Sequence, residues 1–349
     1  MVHAVKVHPA LEKYLREAIG KGASDLFLVP GEPVAMRVKG VIERTGGDVL
    51  GADEITAIAT DALGRENLNK IGTEVAEIHR SCALEGDLNA RISVASAYGQ
   101  YTIAMQICAP QVASVEQIQL PQPILDAILG QKGLVVFSGL VGSGKSTTAY
   151  SVVDYINSKS ACHICTVEEP VYVRLTPKRA IVQQREVGLD VPDTISGIRT
   201  AMVQDCDVIF VMEAKSLEQL EACVAAAEMG HLVITVFHSA ATPQEIVRRI
   251  VEAFPEDQRG AMRSALAGVV KVVCTQTLLP GKERGRYAAY SALIPDAEMR
   301  RSIAEGKDLL LRKTPMPAGC QTMQQAIRRL EEEGVISEET ARKALEEMG

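Results

Sequence analysis

The sequence predicts an α/β chain in two parts, an N-terminal α+β domain and a larger domain built on a mainly parallel sheet. Three observations carry that prediction. The 349 residues exceed what one ordinary compact core holds, so two or three domains are expected. Residues 1–110 alternate short helical and strand-like segments and give way to a proline-bearing stretch. From Leu134 onward, short apolar runs alternate with helical segments, the pattern of parallel strands covered by helices.

Taken in order, His8–Gly20 reads as an amphipathic helix. Asp25–Val29 and Val34–Ile42 read as strands on either side of the turn Pro30-Gly31-Glu32-Pro33. Asp53–Leu68 reads as a helix, and Ala90–Ala95 with Tyr101–Ile107 as a hairpin around Gly99. Ala109–Pro123 holds three prolines among polar residues and is the natural linker. The chain is thus divided into a domain at 1–110, a linker at 111–123 and a second domain at 124–349. There, strands are expected at Leu134–Gly139, His163–Pro170, Ala180–Gln184, Asp207–Glu213 and His231–His238. Helices are expected from Lys145, at Ile195–Val203 and at Leu217–Met229. After Pro243 the chain reads as mostly helical, with a helical C-terminal region over 281–349. It ends in the helices Met323–Glu333 and Ser337–Met348, with Gly334 as the stop between them.

Composition narrows the function classes. Apolar residues are 47% and charged residues 23%, the profile of a soluble globular protein. No apolar run reaches the roughly 20 residues that span a bilayer. The first twenty residues lack a continuous apolar run and a small-residue cleavage site, so no signal peptide is expected and the cytoplasm is the expected location. A net charge of −7 argues against a nonspecific nucleic-acid surface, and the absence of tryptophan weakens base stacking. Of eight cysteines only Cys162 and Cys165 form C-x-x-C. They lie in a strand-like run with no second pair to complete a zinc site, and read as buried thiols.

The chemistry concentrates in Gly139-Leu-Val-Gly-Ser-Gly-Lys-Ser146, which follows an apolar strand and opens a helix. This is G-x-x-x-x-G-K-[ST]: Gly139, Gly142 and Gly144 let the loop curl so that backbone N–H groups, including that of Ser143, face phosphate. The helix N-terminus, through Thr147, adds its dipole and free N–H groups. Lys145 would reach the β- and γ-phosphates of ATP, and the Ser146 hydroxyl would ligate Mg²⁺. A second acidic element is required. Glu213 falls just past the apolar run 207–212, at the strand end where ligands sit in parallel sheets; it would hold Mg²⁺ directly or through water, or is a solvated acid. Glu168, at the end of another apolar run, would orient or deprotonate the attacking water, or is likewise a solvated acid. His231 and His238 bracket the run HLVITVFH, and their odd separation of seven would put them on opposite faces of a straight strand. One is expected at its start and the other just past its C-terminal edge, either sensing the γ-phosphate or hydrogen-bonded in the core.

Together these blocks resemble the secretion and pilus ATPase family, and within it the PilT-type retraction members. SGLVGSGKSTT is similar to their Walker A block, TVEEP to their aspartate box, QREVG with Ile198-Arg199 to their QREVG…LR segment, and CDVIFVME to their Walker B block. EMGHLVITVFHSA resembles their histidine box, and FPEDQR with CTQTLLP their downstream helices. ASDLFLVPGEPVAMRVKG resembles the family's PAS-like domain, and the segment from Cys320 onward its C-terminus. The resemblance implies a PAS-like N-terminal α+β domain and a RecA-like P-loop ATPase domain with a helical C-terminal extension. It implies Glu168 as catalytic glutamate, Glu213 as Walker B acid, His231 and His238 as the histidine-box pair, and Arg199 near the nucleotide. It further implies a homohexamer with ATP held between domains near a subunit boundary, peripheral at the inner membrane through a pilus platform protein. A paralogous retraction ATPase is a further implied partner, and nucleic acid is not one.

The departures bear on rate. Where the family has A-R-F-R-V this chain has Ala90-Arg91-Ile92-Ser93-Val94, and R-x-I becomes Gln106-Ile107-Cys108. In the family the arginines at the Ser93 and Gln106 positions lie close to the nucleotide. Val203 stands at the second arginine of L-R-x-x-L-R-E-D, and Lys215 replaces the arginine after Walker B. Arginines near a γ-phosphate are worth about 10³–10⁵ in rate, so binding without fast turnover is expected. The readings are a retraction motor of reduced turnover, an ATP-binding regulatory subunit of such a ring, and a RecA-like nucleic-acid motor disfavoured by charge.

Overall fold

The computed structural model describes residues 8–38, 40–83, 89–108, 112–283, 285–307 and 318–347. The expected linker start at 109–111, part of the expected helical region at 308–317 and the last expected helical residue, Met348, lie outside them. The chain forms two compact units, Met1–Gln111 with Glu169–Arg174, and Val112–Glu168 with Leu175–Gly349.

The first unit carries α1 (Pro9–Gly20), β1 (Ala23–Leu28), β2 (Pro33–Val38), β3 (Val41–Val49), α2 (Ala52–Leu63), α3 (Arg65–Leu68), β4 (Glu77–Ala83), β5 (Asn89–Ala97) and β6 (Gln100–Cys108). Its sheet is ordered β3-β2-β1-β6-β5-β4. Alternation in β1 puts Leu26 and Leu28 inside, where they meet Ile55 and Ile58 of α2 and Leu11 and Leu15 of α1. The single strand expected at Val34–Ile42 is two: Gly40, at φ +86, turns the chain so that Val38 pairs with Val41. Likewise Gly64, at φ +77, divides the one helix expected at Asp53–Leu68 into α2 and α3.

The second unit carries α4 (Gln122–Ile128), β7 (Gly133–Gly139), α5 (Lys145–Lys159), β8 (His163–Glu168), β9 (Ile181–Glu186), α6 (Thr194–Val203), β10 (Val208–Met212), α7 (Leu217–Glu228), β11 (Leu232–His238), α8 (Pro243–Glu252), α9 (Glu256–Val269), β12 (Val270–Pro280), β13 (Arg286–Leu293), α10 (Ala297–Glu305), α11 (Met323–Glu332) and α12 (Glu338–Glu346). The sheet runs β13-β12-β7-β11-β10-β8-β9, parallel except where β13 returns antiparallel to β12. Every residue of β7 and β10 is buried, as expected of strands covered on both faces. Helix starts are set locally. The Ser216 and Thr242 side chains accept from the N–H of Gln219 and Glu245, whose side chains reach back in capping boxes, each cap being worth about 1 kcal/mol.

The expectation of mostly helix after Pro243 is corrected by β12 and β13. CTQTLLP, expected among downstream helices, is strand: Val270, Val272, Val273 and Thr275 are buried, and β12 pairs with β7, the setting that β-branched side chains favour. For the same reason the expected C-terminal helical region begins with a strand. Its last two helices form as expected, α11 and α12 separated by Gly334 at φ +75, with Ala326, Ile327, Leu330 and Ile336 making a small core against Leu279. No described helix is long and apolar enough to cross a membrane.

Candidate active site

Strand register builds the site. His238 pairs with Gly139 across β11 and β7, Thr235 with Val211 across β11 and β10, and Met212 with Glu168 across β10 and β8. The C-terminal ends of four strands therefore align at one sheet edge and deliver Gly139, His238, Glu213 and Glu168 to it, at about 4.8 Å per strand.

The loop from Gly139 to Gly144 is shaped by close approach. A Cβ on Gly139 would stand 2.3 Å from Ser143 Oγ and 2.6 Å from the Gln276 carbonyl oxygen, so only glycine fits. Gly144, at φ +84, begins α5 in the left-handed region. Buried Gln276 donates from Nε2 to the Ser143 carbonyl at 2.7 Å and ties the loop to β12. Ser143 Oγ is buried with no hydrogen-bond partner among the described residues. An orphaned hydroxyl in a glycine cradle at a helix N-terminus suits a polyphosphate. Lys145 is only 4% exposed, and its ammonium donates to the Leu140 carbonyl at 3.2 Å. Burial pulls its pKa below the usual lysine value, opposed by the Glu213 carboxylate. Ser146 is half-buried and Thr147 exposed.

Glu213 Oε2 lies 2.6 Å from His238 Nε2, and the same carboxylate acts electrostatically on Lys145, so Glu213 links His238 to the lysine of the loop. Glu168 is fully buried. Its carboxylate accepts from the Tyr150 hydroxyl, from the Thr166 hydroxyl and from Gln184 Nε2 at 3.1 Å. Thr166, two residues back on β8, was within reach of strand alternation. Tyr150, Gln184 and Gln276 carry no local signal and went unpredicted.

Two expected site residues stand elsewhere. His231 precedes β11, and its Nδ1 lies 2.6 Å from the Cys206 carbonyl oxygen, at the edge where the strands begin. Seven residues at about 3.3 Å each separate that edge from the loop, roughly 20 Å. Arg199 is exposed on α6, and among the described residues no hydrogen bond or ion pair joins it to the loop. Of the thiols read as buried, Cys165 is buried and Cys162 half-buried, and no cluster among the described residues could hold a metal through three or more such side chains.

In the first unit, Ser93 Oγ bonds to Glu77 Oε2 at 3.3 Å, and Gln106 pairs with Arg91 across β5 and β6. Arg91, the family arginine that is kept, stacks over Tyr172 with 5.5 Å from guanidinium carbon to ring centre and donates to its hydroxyl at 3.2 Å.

A phosphate loop with a buried lysine on an inner strand of a parallel sheet, flanked by acids at neighbouring strand ends, defines a P-loop ATPase. The family model for type II/IV secretion system proteins matches residues 102–346, and the chain belongs to that family. It is 30% identical over 325 residues to the type IV pilus retraction ATPase PilT of Pseudomonas aeruginosa, covering 92% of this chain and 94% of PilT. To the type IV pilus ATPase PilU of the same organism it is 30% identical over 339 residues, covering 95% and 87%. Its structure is similar to the crystal structure of the pilus retraction motor PilT with bound ADP, with a TM-score of 0.86 and 33% identity over 96% of each chain.

Proposed function

We propose that this chain is the subunit of a hexameric, pilus-retraction type motor in the cytoplasm, peripheral at the inner membrane, that couples ATP hydrolysis to work on a pilus platform protein. The observation that carries this reading is the loop with the orphaned Ser143 hydroxyl and the buried Lys145, in a chain that aligns with PilT along nearly its whole length. Backbone N–H groups of residues 142–146 and the Lys145 ammonium bind the phosphates. Ser146 and Glu213 suit Mg²⁺, which is held in such sites by one or two oxygen side chains together with phosphate rather than by a protein cage; the ion would offset charge on the phosphates. Glu168 orients the water whose oxygen attacks the γ-phosphorus as the bond to ADP breaks, giving ADP and phosphate, and takes up the proton. His238 holds Glu213 in place.

A second reading, an ATP-binding regulatory subunit with little hydrolysis, is favoured by Ser93, Gln106, Val203 and Lys215 where the family has arginine, and by the full engagement of Glu168. Steady-state phosphate release at saturating Mg-ATP, with particle mass from light scattering, separates the two. Turnover in a hexamer supports the motor, and nucleotide binding without phosphate release supports the regulatory subunit. A release rate that rises only with DNA, or a chain that binds no nucleotide, refutes both.

A further inference from the structure

Resting on the reading of Glu168 as the water-directing carboxylate, we propose that Tyr150 is a positioning residue that restrains it, keeping the carboxylate in the protein interior and away from water. Tyr150 sits on α5, five residues beyond Lys145, and is 2% exposed. Its ring is fixed edge-on against Phe210 of β10, with centroids 5.2 Å apart and planes at 77°. The hydroxyl donates to Glu168 Oε2. The other oxygen, Oε1, takes the Thr166 hydroxyl and Gln184 Nε2. Both oxygens therefore face protein donors in a side chain with no solvent exposure. A general base must bring a lone pair within about 2.6–3.2 Å of the water it activates, and here that reach is taken up.

These donors are not equivalent. Thr166 and Gln184 stand on β8 and β9, adjacent strands in register with Glu168 opposite Glu186, and move with the glutamate. Tyr150 belongs to α5, whose first residues are Lys145 and Ser146. The helix that meets the phosphates is thus the helix that holds the glutamate back, and a shift of α5 on nucleotide binding would release it. Nothing in a nucleotide-binding loop requires a hydroxyl at this buried position. A phenylalanine would fill the same space.

Tyr150→Phe tests this directly, since it keeps the ring against Phe210 and removes only the O–H. Single-turnover and steady-state phosphate release are measured on the full-length protein with Mg-ATP. The expected result is a rise in kcat of at least about fivefold, equal to about 1 kcal/mol of barrier, with KM and nucleotide affinity unchanged. The gain should vanish in the double variant Tyr150→Phe/Glu168→Gln, because it acts through that carboxylate. A merely structural tyrosine would leave kcat unchanged or lower it, and either outcome overturns the proposal. So does a gain that survives in the double variant. Tyr150→Met, apolar and of adaptable shape, carries the same expectation if the phenylalanine variant folds poorly. Full hydrolysis by Glu168→Gln alone would overturn the role given to Glu168. Loss of hydrolysis in Glu168→Gln with no gain in Tyr150→Phe would overturn only the restraint.

Discussion

Gly139→Ala adds one methyl group at the root of the phosphate loop, and the structure says what it meets. The new carbon stands 2.3 Å from Ser143 Oγ, 3.1 Å from Ser143 Cβ and 2.6 Å from the Gln276 carbonyl oxygen. The serine hydroxyl can rotate aside, but the carbonyl cannot. It belongs to β12, held between β7 and β13 with Gln276 opposite Tyr290. The loop itself must give way, and overpacking of this kind costs about 1–3 kcal/mol. If about 1.4 kcal/mol of that falls on the bound state, nucleotide affinity drops about tenfold. The loop is displaced as a unit, so ADP and ATP should weaken alike. Isothermal calorimetry gives the affinities and thermal unfolding the stability. Affinity and melting temperature both equal to those of the parent would refute the argument that contact with Gln276, rather than flexibility, fixes glycine here.

Lys145→Ala should weaken ATP binding by about a hundredfold or more, about 2.7 kcal/mol, since it removes the charge facing the phosphates and a charge-assisted bond is worth about 1.5–3 kcal/mol; calorimetry reads it, and unchanged affinity refutes the loop assignment. Glu168→Gln should keep nucleotide affinity within about twofold, below 0.5 kcal/mol, while hydrolysis is lost, and equal loss of both would make the residue structural. The parent chain should release phosphate at least about tenfold more slowly than an arginine-complete retraction ATPase, a difference of about 1.4 kcal/mol. Ser93→Arg with Gln106→Arg should recover part of it, because guanidinium supplies a permanent, bidentate charge that serine and glutamine do not; no gain in phosphate release sends the explanation elsewhere. Gly260→Ala, at an exposed position of helix α9 with nothing near the new methyl, should raise stability by about 0.5–1 kcal/mol without touching nucleotide affinity, and a lower melting temperature would contradict it.

What the sequence made legible was local. The glycine spacing and Lys145-Ser146 after an apolar strand point to a phosphate loop, because loop, helix N-terminus and charge all lie within eight consecutive residues. Continuous apolar runs alternating with helical segments placed β7, β8, β10, β11 and the helices between them, because strands covered on both faces are apolar throughout. Glu213 and Glu168 were legible as acids just after such runs. The helix expected at Asp53–Leu68 was located but not its break, since one glycine inside an apolar period leaves the period intact while changing the backbone.

Only the tertiary structure decided the rest, and the reason is separation along the chain. Gln276 supports Ser143 across 133 residues, and Tyr150 reaches Glu168 across 18 by crossing from a helix to a strand. No periodicity encodes such a meeting. β12 reads as part of a helical region until β7 stands beside it, because strand preference is largely the preference of a side chain for a buried, pleated neighbourhood. The sequence already set one of His231 and His238 at the start of their strand and the other past its C-terminal edge, but not what each would meet. Parallel register sets His238 against Glu213 at the edge that carries the Gly139–Ser146 loop, and His231 against the Cys206 carbonyl at the opposite edge.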